Sequence, residues 1–297
     1  MAAPRPRRSV LFMPGVNARA MEKARNLKAD GLIFDLEDSV APEAKVGARA
    51  QIAGALREGG YGRRELILRV NGTGTEWHAD DLRFAATLPI HGVLLPKVEH
   101  AEDVRAAEAV LAGAAAPPDL ALWCMMETPL AFLHAEAIAS ATKRLAALVM
   151  GTEDLGKDLR AQQRPDRLPF MAALQLCVLA ARAYGLAPLD SVFRDFADAE
   201  GFAAQCGQGR ALGFAGKTLI HPKQIDPANS AFAPSAEELA EARQVIAAFA
   251  AASATGKGVA SLNGRMIERL HVEQASRLVA LNEAIVALDA DSAPLTA

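Results

Sequence analysis

Cysteine and aromatic residues are scarce in this chain of 297 residues. Aromatic residues make up 5% of the sequence, and the three cysteines (Cys124, Cys177 and Cys206) form no CxxC pair. An odd number of cysteines cannot be fully paired within one chain, which argues against a disulfide framework. Cys124 and Cys177 lie in apolar runs, where a buried free thiol is the usual state. We therefore expect a protein of the reducing cytoplasm.

The sequence also lacks an excess of positive charge and long apolar runs. Its 32 Lys and Arg residues against 35 Asp and Glu residues give a net charge of −3, which provides no basic field for nucleic acid. No run approaches the roughly 18 apolar residues of a membrane helix. The N-terminal segment MAAPRPRRSVLFMPG is positively charged without the apolar stretch of a signal peptide. We expect neither a nucleic-acid partner nor a membrane partner.

Histidine-based metal motifs are missing too. The six histidines show neither HxH nor HExxH spacing, so a zinc site is disfavoured. The glycine-rich stretch GTGT at 72–75 lacks the lysine of a phosphate-binding loop, so it indicates only a turn.

What the sequence does contain is a regular alternation of short apolar runs and helical stretches. Alternation of this kind predicts a parallel sheet with helices on its outer face, and eight repeats favour a closed (β/α)8 barrel of the TIM type. We assign residues 1–225 to this barrel. The eight predicted strands, of which the seventh is weak, are Ser9–Met13, Gly31–Phe34, Leu66–Val70, Gly92–Leu95, Leu120–Met126, Leu145–Met150, Pro188–Ser191 and Lys217–Ile220.

Residues 226–297 have a different character. A proline-spaced loop leads to a predicted helix from about Ser235 to Ala252, and a glycine-rich turn, SATGKGVASLNGRMIE, precedes a last helix from about His271 to Leu288. This section is too short for an independent domain. We expect a helical arm that contacts another subunit.

Two predicted strands end directly on carboxylates. The run LWCMM leads into Glu127, and LAALVM leads into Glu153 and Asp154. An unpaired buried carboxylate is costly, so such a residue usually has a cation, a donor or a chemical role. Neighbouring strands lie about 4.8 Å apart, so two carboxylates there either share a proton or bind a hard cation such as Mg²⁺. We predict that Glu127 and Asp154 bind Mg²⁺, with Glu153 pointing away; the alternative is a pair of helix-capping or salt-bridged acids.

A third strand ends on Arg69, in the sequence LILRV. An arginine at the mouth of a barrel suits a substrate carboxylate, which it can bind through two parallel hydrogen bonds. The alternative is a salt bridge to the acids of FDLEDSV, namely Asp35, Glu37 and Asp38. Both can hold, because arginine has five donors. One of these acids is expected to orient the loop, and another to hold Arg69 or metal-bound water.

The first helix carries three cations, Arg19, Lys23 and Arg25. At the mouth of a barrel they could meet phosphate groups. A solvated helix face explains them equally well, and the sequence alone leaves both readings open.

In combination, these motifs resemble a known family. RSVLFMPG, FDLEDSVAPEAK, LRVNG, LLPKVE, METP, GTEDLG and GKTLIHPKQ occur in the order seen in the citrate lyase beta-subunit-like branch of the HpcH/HpaI aldolase superfamily. The resemblance implies a (β/α)8 barrel, usually a homotrimer, that binds Mg²⁺ and acts on acyl thioesters of coenzyme A or an acyl-carrier protein. It implies that Glu127 and Asp154 bind the metal, that Arg69 and Glu127 bind substrate, and that Phe12 and Lys23 contact coenzyme A.

The same resemblance implies the reaction. We expect a Mg²⁺-dependent carbon–carbon lyase that cleaves a malyl-, citramalyl- or citryl-CoA thioester into an acyl thioester and a 2-oxo acid. Alternatives are a 4-hydroxy-2-oxo acid aldolase and a partner-dependent or non-catalytic subunit of a larger lyase complex.

One catalytic position departs from the family pattern. Members that hydrolyse the thioester carry an aspartate in a GxMID motif that reaches a neighbouring subunit's site, whereas this chain reads GRMIE and has Glu268 there. Glutamate is one methylene longer, which can displace a general base by about 1 Å and cost roughly 10²-fold in rate. We expect lyase activity to tolerate this change better than hydrolysis does.

Overall fold

The computed structural model describes residues 4–291 and contains a closed barrel of eight parallel strands, in the order β1 to β8. The predicted (β/α)8 fold is therefore confirmed. The strands are β1 Ser9–Pro14, β2 Gly31–Asp35, β3 Glu65–Arg69, β4 Gly92–Leu95, β5 Ala121–Met126, β6 Leu145–Met150, β7 Ala187–Asp190 and β8 Gly216–Leu219.

The strands are apolar because both of their faces are covered. Side chains such as Ile33, Ile67 and Leu94 fill the barrel interior, whereas Leu32 and Leu68 pack in the layer between strands and helices. This arrangement explains why the strands read as continuous apolar runs instead of alternating with polar residues. All three cysteines are buried free thiols, as expected for Cys124 and Cys177.

Helices connect the strands and continue beyond the barrel. They are α1 Ala18–Ala24, α2 Lys45–Glu58, α3 His78–Ala85, α4 Ala101–Gly113, α5 Pro129–Leu133, α6 Ala135–Ala139, α7 Thr152–Leu159, α8 Met171–Ala183, α9 Ala199–Leu212, α10 Ile225–Phe232, α11 Ala236–Ala254 and α12 Arg269–Asp291. Short 3-10 turns precede α2, α8 and α10 at Pro42–Ala44, Leu168–Phe170 and Pro222–Gln224. Within the described part of the chain, none of these helices combines the length and apolarity needed to span a bilayer.

The opening of the barrel at the N-terminal ends of the strands is filled by an ion pair. Arg7 Nε lies 2.6 Å from Glu65 Oε2, and the guanidinium of Arg7 lies 5.0 Å from the ring centroid of Trp123. Trp123 is fully buried inside the barrel, so it serves packing.

The chain divides into two compact units, of which the barrel unit is Arg7–Phe232. This unit includes α10, which the expected division at residue 225 assigns to the C-terminal section. The second unit contains α11 and α12, which pack on each other, and a two-stranded antiparallel sheet of β9 Ala260–Leu262 and β10 Arg265–Ile267. We expected only a glycine-rich turn at this sheet. Asn263 and Gly264 connect its strands with positive φ angles of 51° and 76°, the backbone of a two-residue hairpin loop.

Candidate active site

Charged side chains from five consecutive strand ends lie at the carboxyl-terminal rim of the barrel. Asp35 and Arg69 are the last residues of β2 and β3, and Lys97 follows β4. Glu127 follows β5, and Asp154 lies in the first turn of α7, directly after β6. The carboxyl ends of barrel strands are where active sites of this fold lie.

Glu127 is held at its position by the start of the next helix. The Thr128 hydroxyl accepts a hydrogen bond from the Ala131 N–H at 3.2 Å, and Pro129 is the first residue of α5. Both features are typical of a helix start, so the strand has to end at Glu127. The backbone of Glu127 is therefore placed at the rim, between the end of β5 and the start of α5.

Glu127 is a buried carboxylate with one hydrogen-bonded oxygen. Only 3% of the residue is exposed, and Oε1 accepts the Lys97 N–H at 2.7 Å. Burial, followed by the negative charges of Glu37 and Asp154, raises the pKa of Glu127 to about 7, although the Lys97 N–H and Arg69 act against the shift. A bound cation would relieve this cost.

Asp154 contributes its charge from the neighbouring strand end. Its carboxylate helps to raise the pKa of Glu127. The pKa of Lys97 is raised as well: burial lowers it, but the hydrogen bond to Glu37 raises it more, and the charge of Asp154 adds to the increase. Glu153 instead pairs with Arg194 at 3.1 Å on the surface. Glu153 thus faces away from the charges that surround Glu127, as predicted.

Arg69 takes the salt bridge that the sequence offered as an alternative role. Nε and Nη2 donate to the two oxygens of Asp35 at 2.6 and 2.7 Å, and the guanidinium lies 4.8 Å from the Phe12 ring centroid. Burial alone would raise the pKa of Asp35, but the neighbouring Arg69 guanidinium lowers this pKa below its usual value. The pair with Asp35 orients Arg69 and leaves one hydrogen on Nη2 without a described acceptor, whereas Nη1 lies 2.8 Å from Glu37 Oε2 in an ion pair.

Glu37 has a buried oxygen with no hydrogen bond. Its Oε1 accepts the Lys97 ammonium at 2.7 Å. Its Oε2 lies 2.8 Å from Arg69 Nη1 without hydrogen-bond geometry, and no donor in residues 4–291 satisfies it. The pKa of Glu37 is raised, because burial raises it and the opposing charges of Arg69 and Lys97 lower it only in part. An unsatisfied buried oxygen at a charged rim is a position for water or a ligand.

The FDLEDSV loop is held by Asp35 and by Lys45, which the sequence analysis did not single out. Lys45 is 6% exposed and donates to the carbonyl oxygens of Leu36 and Glu37, both at 2.9 Å. Asp35 also accepts the Ser39 hydroxyl and the Glu37 N–H, so it is the acid that orients the loop. Sequence reasoning missed Lys45, because a lysine in a helix usually indicates a solvated position.

The two expected coenzyme A contacts lie in different surroundings. Phe12, on β1, is partly buried beneath the Arg69 guanidinium. Lys23 is exposed on α1, and the described residues give its ammonium no hydrogen bond or ion pair. Phe12 is thus gathered with the other site residues, whereas Lys23 stays free to meet a ligand.

Glu268 belongs to the C-terminal unit, where it follows β10 and precedes α12. Its N–H donates to His271 Nδ1 at 3.0 Å, and its carbonyl accepts the His271 N–H at 3.0 Å. These bonds fix the backbone at the start of α12. The carboxylate is partly exposed and has no described partner.

The carboxylates at the rim fit a magnesium ion. Residues 4–291 contain no group of three or more His, Cys, Asp or Glu side chains that could hold a metal ion by themselves. Mg²⁺ commonly takes one or two carboxylates and completes its shell with water and substrate oxygens. The unsatisfied Glu37 oxygen and the costly burial of Glu127 are both consistent with such a site.

Comparison with known proteins agrees with this architecture. The family model described as HpcH/HpaI aldolase/citrate lyase matches residues 8–222. The chain is 48% identical to a (3S)-malyl-CoA thioesterase of Cereibacter sphaeroides strain KD131, over 96% of this chain and 98% of that protein. It is 37% identical to the citrate lyase subunit beta of Escherichia coli K12, over 93% of this chain and 92% of that protein.

A solved structure extends the comparison to ligands. The protein CitE of Mycobacterium tuberculosis, in complex with magnesium, acetoacetate and coenzyme A, is 29% identical and superposes with a TM-score of 0.74, covering 95% of this chain and 99% of that one. Magnesium and coenzyme A thus bind to a structural neighbour of this fold. The chain belongs to the HpcH/HpaI aldolase/citrate lyase family.

Proposed function

We propose that this chain is a Mg²⁺-dependent carbon–carbon lyase that cleaves a malyl-, citramalyl- or citryl-CoA thioester into an acyl thioester and a 2-oxo acid. The observation that carries the proposal is the combination of Arg69, oriented at the rim by Asp35 and ion-paired with Glu37, and the buried Glu127 beside Asp154. A carboxylate-binding arginine next to a metal-binding carboxylate pair suits a 2-oxo acid. A structural neighbour that binds magnesium, acetoacetate and coenzyme A supports this substrate class.

Cleavage of the carbon–carbon bond requires two proton transfers and the breaking of one bond. The 3-hydroxyl group loses its proton, the bond between C2 and C3 breaks with its electron pair left on C2 of the thioester, and C2 then gains a proton. When bound, Mg²⁺ would act as a Lewis acid toward the oxygen on C3.

The residues of the chain position the substrate and handle protons. Arg69 binds the carboxylate on C3 through Nη1 and Nη2, because Asp35 occupies the other side of the guanidinium; this carboxylate would share Nη1 with Glu37 Oε2, which lies 2.8 Å from it. Glu127 and Asp154 are the proposed metal ligands. Glu268 is the proposed acid–base residue, provided from the C-terminal unit of a neighbouring copy in a homotrimer. Phe12 and Lys23 are the proposed contacts for coenzyme A.

Hydrolysis of the thioester is the second candidate. It is favoured by the 48% identity to a protein named (3S)-malyl-CoA thioesterase. In this reaction water adds to the thioester carbonyl, the coenzyme A thiol leaves, and the carbon–carbon bond stays intact.

A product assay separates these reactions. Malyl-, citramalyl- and citryl-CoA are each incubated with the chain and Mg²⁺, and the 2-oxo acid and the free thiol are measured separately. Oxo acid without thiol supports the lyase, and thiol without oxo acid supports hydrolysis. Turnover should be lost in Glu127→Gln and Asp154→Asn and retained in Glu153→Gln, which changes the adjacent surface acid. A well-folded chain that turns over none of the three thioesters contradicts both reactions and favours a partner-dependent subunit.

A further inference from the structure

Lys97 has a backbone conformation that is unusual for its residue type. It follows β4 and Pro96, and its φ angle is +52°. In this left-handed region the Cβ of a non-glycine residue is crowded by the backbone, so the conformation persists only where other contacts hold it. Residues strained in this way cluster at functional sites.

Two hydrogen bonds from Lys97 reach two different carboxylates. Its backbone N–H donates to Glu127 Oε1 at 2.7 Å, and its ammonium donates to Glu37 Oε1 at 2.7 Å. The ammonium also lies 3.5 Å from Asp38. One residue therefore connects the ends of β2, β4 and β5.

The contact to Glu127 decides which oxygen remains available. Because Oε1 accepts the Lys97 N–H, Oε2 is the oxygen of Glu127 that keeps both lone pairs for a ligand. On that side, Gly151 allows the close approach, since a Cβ at residue 151 would lie 2.6 Å from Oε2. Glu127 is thus held by the Lys97 N–H at Oε1, and Gly151 leaves the space that Oε2 occupies.

We propose that Lys97 is a positioning residue for Glu127. The ion pair between its ammonium and Glu37 holds the left-handed backbone, and that backbone directs the N–H onto Oε1 so that Oε2 faces the ligand position. The importance of this device for metal binding rests on the proposed function. The conformational coupling itself can be measured without metal.

Two substitutions separate the side-chain anchor from the backbone conformation. Lys97→Ala removes the ammonium and keeps the Cβ, so nothing holds the crowded conformation. Lys97→Gly removes the same ammonium, but glycine adopts positive φ freely. The proposal expects the alanine variant to be impaired and the glycine variant to be close to wild type, although both lack the same charge.

The first readout is the exchange rate of the residue 97 amide in metal-free protein, measured by NMR. Loss of the left-handed conformation should release this N–H, so exchange should be roughly tenfold faster in Lys97→Ala, while Lys97→Gly stays within about threefold of wild type. The second readout is Mn²⁺ affinity, measured by electron paramagnetic resonance. It should fall roughly tenfold in the alanine variant and stay within about threefold in the glycine variant.

Ala115→Gly is the matched control. Ala115 also has a positive φ angle, 54°, but it lies in the loop before β5 at the opposite end of the barrel. This substitution should alter thermal stability and leave Mn²⁺ affinity unchanged.

Other outcomes contradict the proposal. If Mn²⁺ affinity fell equally in Lys97→Ala and Lys97→Gly, the effect would belong to the ammonium charge and not to the backbone. If both variants kept the wild-type affinity, Lys97 would be dispensable for metal binding. A change in stability alone, with amide exchange and affinity unaltered, would leave only a structural role. A wild-type chain that binds no Mn²⁺ would overturn the proposed function, while the exchange difference between the variants would still decide whether the anchor holds the backbone.

Discussion

Gly151 lies against Glu127 so closely that it cannot carry a side chain without moving the carboxylate. A Cβ on residue 151 would lie 2.5 Å from Glu127 Cβ and 2.6 Å from Oε2, distances that real Cβ contacts do not reach. We therefore expect Gly151→Ala to displace Glu127 and lower Mg²⁺ affinity by at least about tenfold. Isothermal titration with Mg²⁺ measures the effect.

Gly54→Ala provides the comparison for this substitution. Gly54 lies inside α2, where an added Cβ meets nothing within 4 Å. Alanine should therefore stabilise the helix by about 0.5–1 kcal/mol and leave Mg²⁺ affinity unchanged. Equal affinity in wild type and Gly151→Ala would show that Glu127 is not held as the structure indicates.

The buried carboxylate of Glu127 should make the metal-free protein sensitive to pH. Burial raises the pKa of Glu127 from the usual 4.5 to about 7, so the folded state favours the protonated form. The stabilisation is fully present below pH 4.5 and is lost as the pH rises through about 7. A shift of this size corresponds to about 3 kcal/mol in the free energy of unfolding.

Glu127→Gln isolates this effect, because glutamine keeps an oxygen for the Lys97 N–H and cannot ionise. In EDTA, the variant should be more stable than wild type at pH 8, and the difference should shrink toward pH 5. Urea unfolding at both pH values measures it. Glu153→Gln changes a surface residue, so its stability should depend on pH as that of wild type does. If Glu127→Gln also showed the wild-type pH dependence, the Glu127 carboxylate would be well solvated and the prediction would be wrong.

Arg69→Lys tests whether the bidentate geometry matters beyond the charge. A lysine has one ammonium, so it cannot bind both oxygens of Asp35 and a substrate carboxylate with the same planar geometry. We expect kcat/KM to fall by about 10²-fold, with KM carrying much of the change because ground-state binding is weakened. Steady-state kinetics at saturating Mg²⁺ measure it, and an unchanged KM would place the substrate carboxylate elsewhere.

Most of the fold could be predicted from the sequence, because strands buried on two faces leave a continuous apolar signature. The weak prediction was β7, which has only four residues and includes Pro188. The hairpin in the C-terminal unit was missed, although Asn263-Gly264 is a strong two-residue hairpin signal. The many glycines around this dipeptide are typical of an irregular turn, so the sequence pattern indicated a turn and not two strands.

The residues of the site were easier to predict than their contacts. Glu127 and Arg69 are recognisable because each ends an apolar strand on a charge. The proposed role of Lys97 depends on a positive φ angle and on a partner 30 positions away, and neither leaves a mark in the local sequence. For the same reason, no pattern indicates that Glu37 Oε2 lacks a hydrogen bond.

We predict that Glu268 sets the rate of any thioester hydrolysis by this chain. If its carboxylate is a base displaced by one methylene, Glu268→Asp should raise thiol release from malyl-CoA by up to about 10²-fold, and Glu268→Gln should lower it. Mg²⁺ affinity should be the same in both variants, because Glu268 is not a proposed metal ligand. Glu273→Gln, which changes an exposed acid in α12 paired with Arg269, is the control. If thiol release fell as far in Glu268→Asp as in Glu268→Gln, the length of the glutamate side chain would be adapted to this site. That result would agree with the similarity to a (3S)-malyl-CoA thioesterase.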